Sequence, residues 1–507
     1  MGKSLYEMLR EYGASKFYPF HMPGHKRGAA AGGNLSLPPE FADGGPLALG
    51  NPFAIDLTEI DWNDNLHHAE GILKRSMEKA AAVYGAARSF YLVNGSTCGI
   101  LAAIQAAAGF GGCILMARNC HRSAYHGVIL NHLDVEYIYP QNLPEFGVYG
   151  GLLSEDIEKT VDKYSDIRAV FLTSPTYEGI VSDIGEISRI LHSRGIPLIV
   201  DEAHGAHLTF GDNFPKSAAD CGADVVIQSL HKTLPSLTQT AILHVCGDLV
   251  DPKLVEKCLK IYETSSPSYV FLASMENCIR YMDGPGRARM RAFGARVREL
   301  TERLQRLSTM RVMDDSVIGT CGVFDRDPSK IVIAADCGGK KLAEILRRDY
   351  YLETEMANAG YVLAMTSLMD SEAGLNRMER ALFEIDGKRS RRKMASDPAE
   401  KSEEREFSGG GARRGAGAAL WTSIDPEPVM PMWTAFSAAR EFLPAADALG
   451  RTAADFVLVY PPGIPLLAPG ERVTEGVRNV LLSYEAMGFS LEGTGGESGF
   501  DIPVVKG

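Results

Sequence analysis

Between residues 75 and 250, short apolar runs alternate with stretches of helical spacing. "SFYLV" (89–93) leads through "NGST" into the helix-like "CGILAAIQAAAG", and "CILMA" (113–117) leads through "RNCHRS" into "AYHGVILNHL". "AVFLT" (169–173) leads to "SPTYEG", "IPLIV" (196–200) to "DEAHGAH", and "DVVIQ" (224–228) to "SLHK". Strands alternating with helices predict a mostly parallel sheet with crossover helices, so the expected fold class is α/β. The runs are apolar throughout rather than alternating, as for strands covered on both faces. Polar residues follow each run at once. Open α/β sheets bind ligands at the carboxyl ends of their strands, so the five tails are expected to meet at one crevice.

The pattern changes at "DGPGRARM" (283–290). A long helix-like stretch, "RARMRAFGARVRELTERLQRL", then leads towards strand-like "KIVIAA" and "YVLAMTSL". Charge, Gly and Ser dominate "GKRSRRKMASDPAEKSEEREFSGGGARRGAGA", which reads as a disordered tether. Apolar patterning returns near Leu420 with "FVLVYPPGIPLLAPGE" and the helix-like "VTEGVRNVLLSYEAM". The expected organisation is an N-terminal segment (1–60), a large domain (61–285), a small α/β domain (286–386), a linker (387–419) and a C-terminal domain (420–507). No internal repeat is evident.

Length and charge narrow the function. A chain of 507 residues is too long for one simple core. Its net charge of −12, with no basic stripe, argues against nucleic-acid binding. The nine cysteines form no CxxC pair, which suits a reducing compartment. The N-terminal stretch has no apolar h-region and no run of about 18 apolar residues exists, so a cytoplasmic protein off the membrane is expected.

The candidate chemistry begins at Lys232. A lysine beside buried strands must be solvated, paired or chemically used. Ser229 and His231 flank it, and "IPLIVDEAH" offers a carboxylate, Asp201, at the end of another buried run. Pyridoxal phosphate needs such a set: a lysine for the Schiff base, an acid facing the pyridinium nitrogen, and donors for the phosphate. Asp201 as a turn or cap residue is the alternative reading. "NGSTCGILAAIQA" suits the phosphate end, since Gly95 permits a tight turn and Ser96 and Thr97 present hydroxyls and N–H groups at a helix start. Ser and Thr are also ordinary helix caps. His121 follows a strand and is placed to stack on a ring, or is an ordinary loop histidine. His204 stands three residues after Asp201, where it either touches cofactor or substrate or only orients Asp201.

These segments resemble the Orn/Lys/Arg decarboxylase family, which has the aspartate-aminotransferase fold (fold type I). The matching stretches are "YPFHMPGHKRG", "DLTEIDWNDNLHHAEGILKRSMEKAAAVYGA", "YLVNGSTCGI", "ARNCHRSAYHG", "SPTYEGIVSDI", "VDEAHGAH", "QSLHKTLPSLTQTAILHV", "TSSPSY" and "YPPGIPLLAPGE". They run in the family's order over nearly the whole chain apart from the linker. "HMPGHKRG" followed by "SLHKTL" is the specific combination. The resemblance implies Lys232 as the Schiff-base lysine, Asp201 as the pyridinium partner, His121 as the ring-stacking residue, and Ser96, Thr97, Ser229 and His231 as phosphate ligands. It also implies that Thr264 reaches the cofactor phosphate of a partner subunit, which makes a homodimer the minimal active unit. No receiver-like domain precedes the cofactor domain, so the short form of the family is expected.

The activity so implied is α-decarboxylation of a basic amino acid, arginine first and then lysine and ornithine. Lys232 or a nearby histidine would return a proton to Cα once CO₂ has left. The distal cation of the substrate needs a carboxylate, for which Glu353 and Glu355 in "YYLETEMANAG" are candidates. Other readings are a same-fold aminotransferase or lyase, a metal hydrolase using His21, His25, Asp201, His204 and His207, and a catalytically inactive regulatory homologue. The decarboxylase reading itself needs no metal.

Overall fold

A computed structural model describes residues 3–29, 39–60, 63–395, 424, 426–460, 463–496 and 499–507. At its centre lies a seven-stranded sheet. In chain order its strands are Arg88–Leu92 (β1), Cys113–Ala117 (β2), Asp134–Ile138 (β3), Ile167–Thr173 (β4), Leu198–Asp201 (β5), Val225–Gln228 (β6) and Ala241–Val245 (β7). Their spatial order is β1-β7-β6-β5-β4-β2-β3. From β6 through β3 every pairing is parallel, while β7 runs antiparallel to both β6 and β1. Every residue of β2, β5, β6 and β7 is buried, which is why these runs lack polar alternation.

The helix Gly95–Ala108 (α1) follows β1 and lies almost in contact with the sheet. Its buried residues are mostly small, and a Cβ at Gly99 would come within 2.6 Å of Leu92 Cδ1. That close approach fixes the start of α1 at the rim of the sheet. The second helix at the rim, Arg122–Leu130 (α2), follows β2.

The break expected at 283–290 is a kink rather than a loop. The helix Tyr269–Tyr281 passes through a wide turn, Met282–Gly286, into the helix Arg287–Leu304, with Gly284 off helical geometry. Pro285 lacks an amide donor and so helps to interrupt the ladder there. The small domain that follows holds a four-stranded antiparallel sheet from Met310–Val312, Lys330–Ala335, Met356–Ala357 and Tyr361–Met365. The N-terminal segment joins it, since Tyr18–Phe20 pairs in parallel with Leu352–Thr354.

The linker boundary at 387 needs correction. The helix Glu372–Ala395 continues through the first part of the stretch read as a tether. Lys and Arg are good helix formers, so charge alone does not end a helix. Asp386 further ties this helix to Ser308 and Thr309 through their amides and hydroxyls. Residues 396–419 of the expected linker lie outside the described residues. The C-terminal region has its own apolar core around Val457, Leu466, Leu467, Val477 and Leu481. Among the described residues no helix is long and apolar enough to cross a membrane.

Candidate active site

A cavity of about 500 Å³ opens at the carboxyl ends of β1, β2, β4, β5 and β6. The convergence expected from the strand tails is what creates it. Gly95, Ser96, Thr97, His121, Asp201, His204, Ser229, His231 and Lys232 all line its wall.

The β1 tail turns sharply at Gly95, whose φ of 75° suits glycine. Ser96 and Thr97 then occupy the first turn of α1, where amide N–H groups have no helical partner. Across the cavity floor the Ser96 and Ser229 hydroxyls hydrogen-bond to each other, although the residues are 133 apart in sequence. These two hydroxyls, Thr97 and the α1 amides form a cup for an anion.

Lys232 sits in the single helical turn Leu230–Thr233 that follows β6. Its Nζ lies 3.0 Å from His204 Nε2. Burial pulls its pKa below the ordinary lysine value, and Asp201 and Glu355 pull in the opposite direction. Asp201 ends β5 and accepts a hydrogen bond from the Ala203 amide at 3.1 Å. Burial raises its pKa, and the Lys232 ammonium lowers it. His204 is driven well below the usual imidazole value by burial and by Lys232 and Lys330. Its ring lies against that of Tyr177, with centroids 4.5 Å apart.

His121 caps α2 by accepting the Ser123 amide at Nδ1, which leaves its ring set into the cavity wall. Burial, with Lys232 and Arg122 nearby, brings its pKa down to about 3, so the ring is neutral. His231 donates from Nδ1 to the Thr240 carbonyl at 2.9 Å, and burial brings its pKa down to about 4. "HMPGHKRG" and "SLHKTL" meet directly, since the Gly24 amide donates to the His231 carbonyl at 2.6 Å.

The C-terminal region completes the wall with Tyr460 and Ile464. Gly463 stands so close to His121 that a Cβ there would lie 3.1 Å from its Cδ2. The segment is fixed by Arg118, whose Nε and Nη2 grip the two carboxylate oxygens of Glu471 at 3.1 and 3.0 Å. Arg118 also donates to the Pro465 carbonyl at 2.7 Å.

Not every candidate residue gathers here. Thr264 lies on a surface loop, its carbonyl accepting from His67 Nε2 at 2.7 Å, and does not line this cavity. Glu353 pairs with Arg347 at 2.9 Å on the surface. Glu355 instead stands just behind the wall, accepting from the Met22 amide and the Tyr177 hydroxyl. The histidines grouped for a metal face different partners: His204 meets Lys232, His207 meets Asp327, and His21 bonds the Met22 carbonyl. Among the described residues no three His, Cys, Asp or Glu side chains are grouped to hold a metal ion.

Sequence reasoning missed Glu178. It is buried in the cavity wall, accepts from the Tyr361 hydroxyl at 2.6 Å, and forms no ion pair among the described residues. The signal available was its position in "SPTYEG", an acid in the tail of a buried strand.

A pyridine ring with a phosphate arm fits this donor set. The anion cup, a recessed amine and a buried carboxylate share one cavity. Two buried polar atoms in its wall, His204 Nδ1 and Asn119 Oδ1, also lack a partner among the described residues. Buried polar atoms are normally bonded, so these two are available to a ligand atom.

Comparison with known proteins agrees. The chain is 30% identical over 490 residues to an arginine decarboxylase of Halalkalibacterium halodurans, covering 96% of this chain and 94% of that protein. To an arginine decarboxylase of Bacillus subtilis it is 29% identical over 505 residues, covering 99% and 97%. The crystal structure of the lysine decarboxylase of Francisella novicida shares its fold, with a TM-score of 0.74 at 21% identity over 92% of this chain and 76% of that one. The family model of the Orn/Lys/Arg decarboxylase major domain matches residues 3–331 and that of the C-terminal domain matches residues 420–491. The chain, with its fold type I architecture, belongs to the Orn/Lys/Arg decarboxylase family.

Proposed function

We propose that the chain removes the α-carboxyl group of a basic amino acid, arginine before lysine and ornithine, with pyridoxal phosphate bound in the cavity. The observation that carries this reading is the meeting of Lys232, Asp201 and the Ser96–Ser229 pair in one cavity wall. When bound, the cofactor supplies the electron sink for the bond pair left at Cα.

The residues of the chain do the rest. Lys232 holds the cofactor covalently, and burial favours its neutral, nucleophilic amine. Asp201 would partner the ring nitrogen and hold a proton there, and His121 would supply a neutral ring for the cofactor to stack on. Ser96, Thr97 and Ser229 donate to the phosphate. His231 spends Nδ1 on Thr240, so it donates to phosphate only from Nε2 and only as the imidazolium. The 3.0 Å contact between Lys232 Nζ and His204 Nε2 provides a route for the proton that Cα needs after CO₂ departs.

The distal cation finds two carboxylates, Glu178 in the wall and Glu355 behind it. A fork-shaped guanidinium suits two flanking acids better than a point ammonium does, which places arginine first. Thr264, on its surface loop, is assigned to a partner subunit's phosphate in a homodimer. Two of the closely matching relatives carry the name arginine decarboxylase, which supports the order of substrates. The test is incubation with arginine, lysine and ornithine, with CO₂ and amine measured for each. Arginine should give the highest kcat/KM. α-Keto products without CO₂, or no turnover of any of the three, would overturn the reading.

A further inference from the structure

Lys330 begins the first long strand of the small domain and is fully buried, as are its neighbours Asp327 and Ser329. None of the three lines the cavity. An ammonium has three hydrogens to donate, and here all three are engaged. One goes to Asp327 Oδ2 at 2.9 Å, one to Ser329 Oγ at 3.2 Å, and the third crosses to the His204 carbonyl at 3.4 Å.

Asp327 extends the same node. Its Oδ1 accepts from His207 Nε2 at 3.2 Å, and its own amide donates to the Gly179 carbonyl at 2.8 Å. Gly179 packs so tightly here that a Cβ would lie 2.9 Å from Lys330 Cγ. One compact node of the small domain thus holds two cavity-forming loops from behind: 201–207, which carries Asp201 and His204, and 173–179, which carries Tyr177 and Glu178.

We infer that Lys330 and Asp327 are positioning residues, an ion pair through which the small domain sets the placement of the Asp201–His204 loop against Lys232. A buried pair of this kind is not needed for stability as such, since apolar groups of similar volume often serve equally well. What apolar groups cannot reproduce is the directed bond to the His204 carbonyl. The charge of Lys330 also reaches His204 and Lys232, pressing both towards their neutral forms. The inference depends on the proposed function only for its kinetic half.

The test is the double variant Lys330→Met/Asp327→Asn, which removes the pair without leaving a lone buried charge. In the cofactor-free chain, amide hydrogen exchange of the peptide 201–208 should quicken at least tenfold. In the holoenzyme, kcat should fall at least tenfold while KM stays within threefold. Exchange within twofold of wild type, together with unchanged kcat and KM, overturns the inference. If the double variant does not fold, His207→Asn decides: it cuts the loop's tie to Asp327 and leaves the Lys330–Asp327 pair in place. Tenfold faster exchange of 201–208 there supports the inference, and unchanged exchange overturns it. A wild-type chain that turns over no basic amino acid would count against the proposed function, and the exchange comparison would still decide this point.

Discussion

Glu471→Gln is a sharp test of how the C-terminal region is held over the cavity. Arg118 and Glu471 are almost wholly buried, with side chains 6% and 2% exposed. Glu471 Oε1 accepts from Arg118 Nε, while Oε2 accepts from both Arg118 Nη2 and the Ala468 amide at 2.7 Å. A glutamine amide must point its NH₂ at one of these positions, where the Arg118 and Ala468 groups are all donors. Breaking a buried pair on one side costs about 3–5 kcal/mol. Arg118 keeps the Tyr125 hydroxyl and the Pro465 carbonyl, so the lower end, about 3 kcal/mol, applies. At about 1.4 kcal/mol per decade, the opening equilibrium of the interface should rise roughly 100-fold. The Arg122 amide donates to the Gly463 carbonyl across that interface at 3.1 Å, so its hydrogen exchange reads the opening. Amides within β2 and β4 serve as the unchanged reference. Arg118→Met combined with Glu471→Leu should protect Arg122 better than Glu471→Gln, because no charge is left alone. Protection of Arg122 within threefold of wild type in Glu471→Gln would refute the reasoning.

Lys232→Ala should abolish the absorbance of the lysine-bound cofactor and lower turnover on the order of 10³-fold or more; a variant with wild-type spectrum and rate refutes the assignment. Glu355→Gln and Glu178→Gln each remove a charge-assisted contact of about 1.5–3 kcal/mol, so KM for arginine should rise roughly 10- to 150-fold with little change in kcat. An unchanged KM in both variants would exclude these acids from recognition of the distal cation. Acid should destabilise the fold through His244, which is buried between Ser89 and Gln228 and held by burial to a pKa of about 3. Because the folded pKa lies below the ordinary value, this contribution is complete above about pH 6.5 and declines by roughly 1.4 kcal/mol per unit below it. Unfolding free energies from urea titrations at pH 7.5 and 5.0 should therefore differ by about 2 kcal/mol more in wild type than in His244→Asn; equal pH dependence would disprove it.

The parallel core was legible because β2, β5 and β6 are covered on both faces and so carry unbroken apolar runs. The tails were legible because cavity chemistry begins within a few residues of each strand end, as at Asp201 and Lys232. What escaped was chemistry assembled from afar. Arg118 and Glu471 are 353 residues apart, and nothing local marks either as a buried ion. Lys330 sits in "SKIVIAA" like a solvated strand start, yet it is wholly enclosed. Glu355 meets the Tyr177 hydroxyl from 178 residues away, and Tyr361 of the small domain donates to Glu178. The linker boundary failed for another reason: "GKRSRRK" is charged enough to resemble a tether, but the same residues suit an exposed helix.

The placement of β1 has a consequence for biosynthesis. Among the described residues this strand pairs with β7 alone, and β7 is made about 150 residues later. A nascent chain thus carries the apolar "SFYLV" with an unmatched ladder until Val245 has emerged, a period of exposure to wrong pairing with other chains. Ser96 and Ser229 come together at the same late moment, so the cofactor proposed for the cavity would be held only after near-completion of the large domain. On that proposal, ample cofactor during synthesis would rescue yield by drawing late intermediates to the finished state, rather than by shielding early ones.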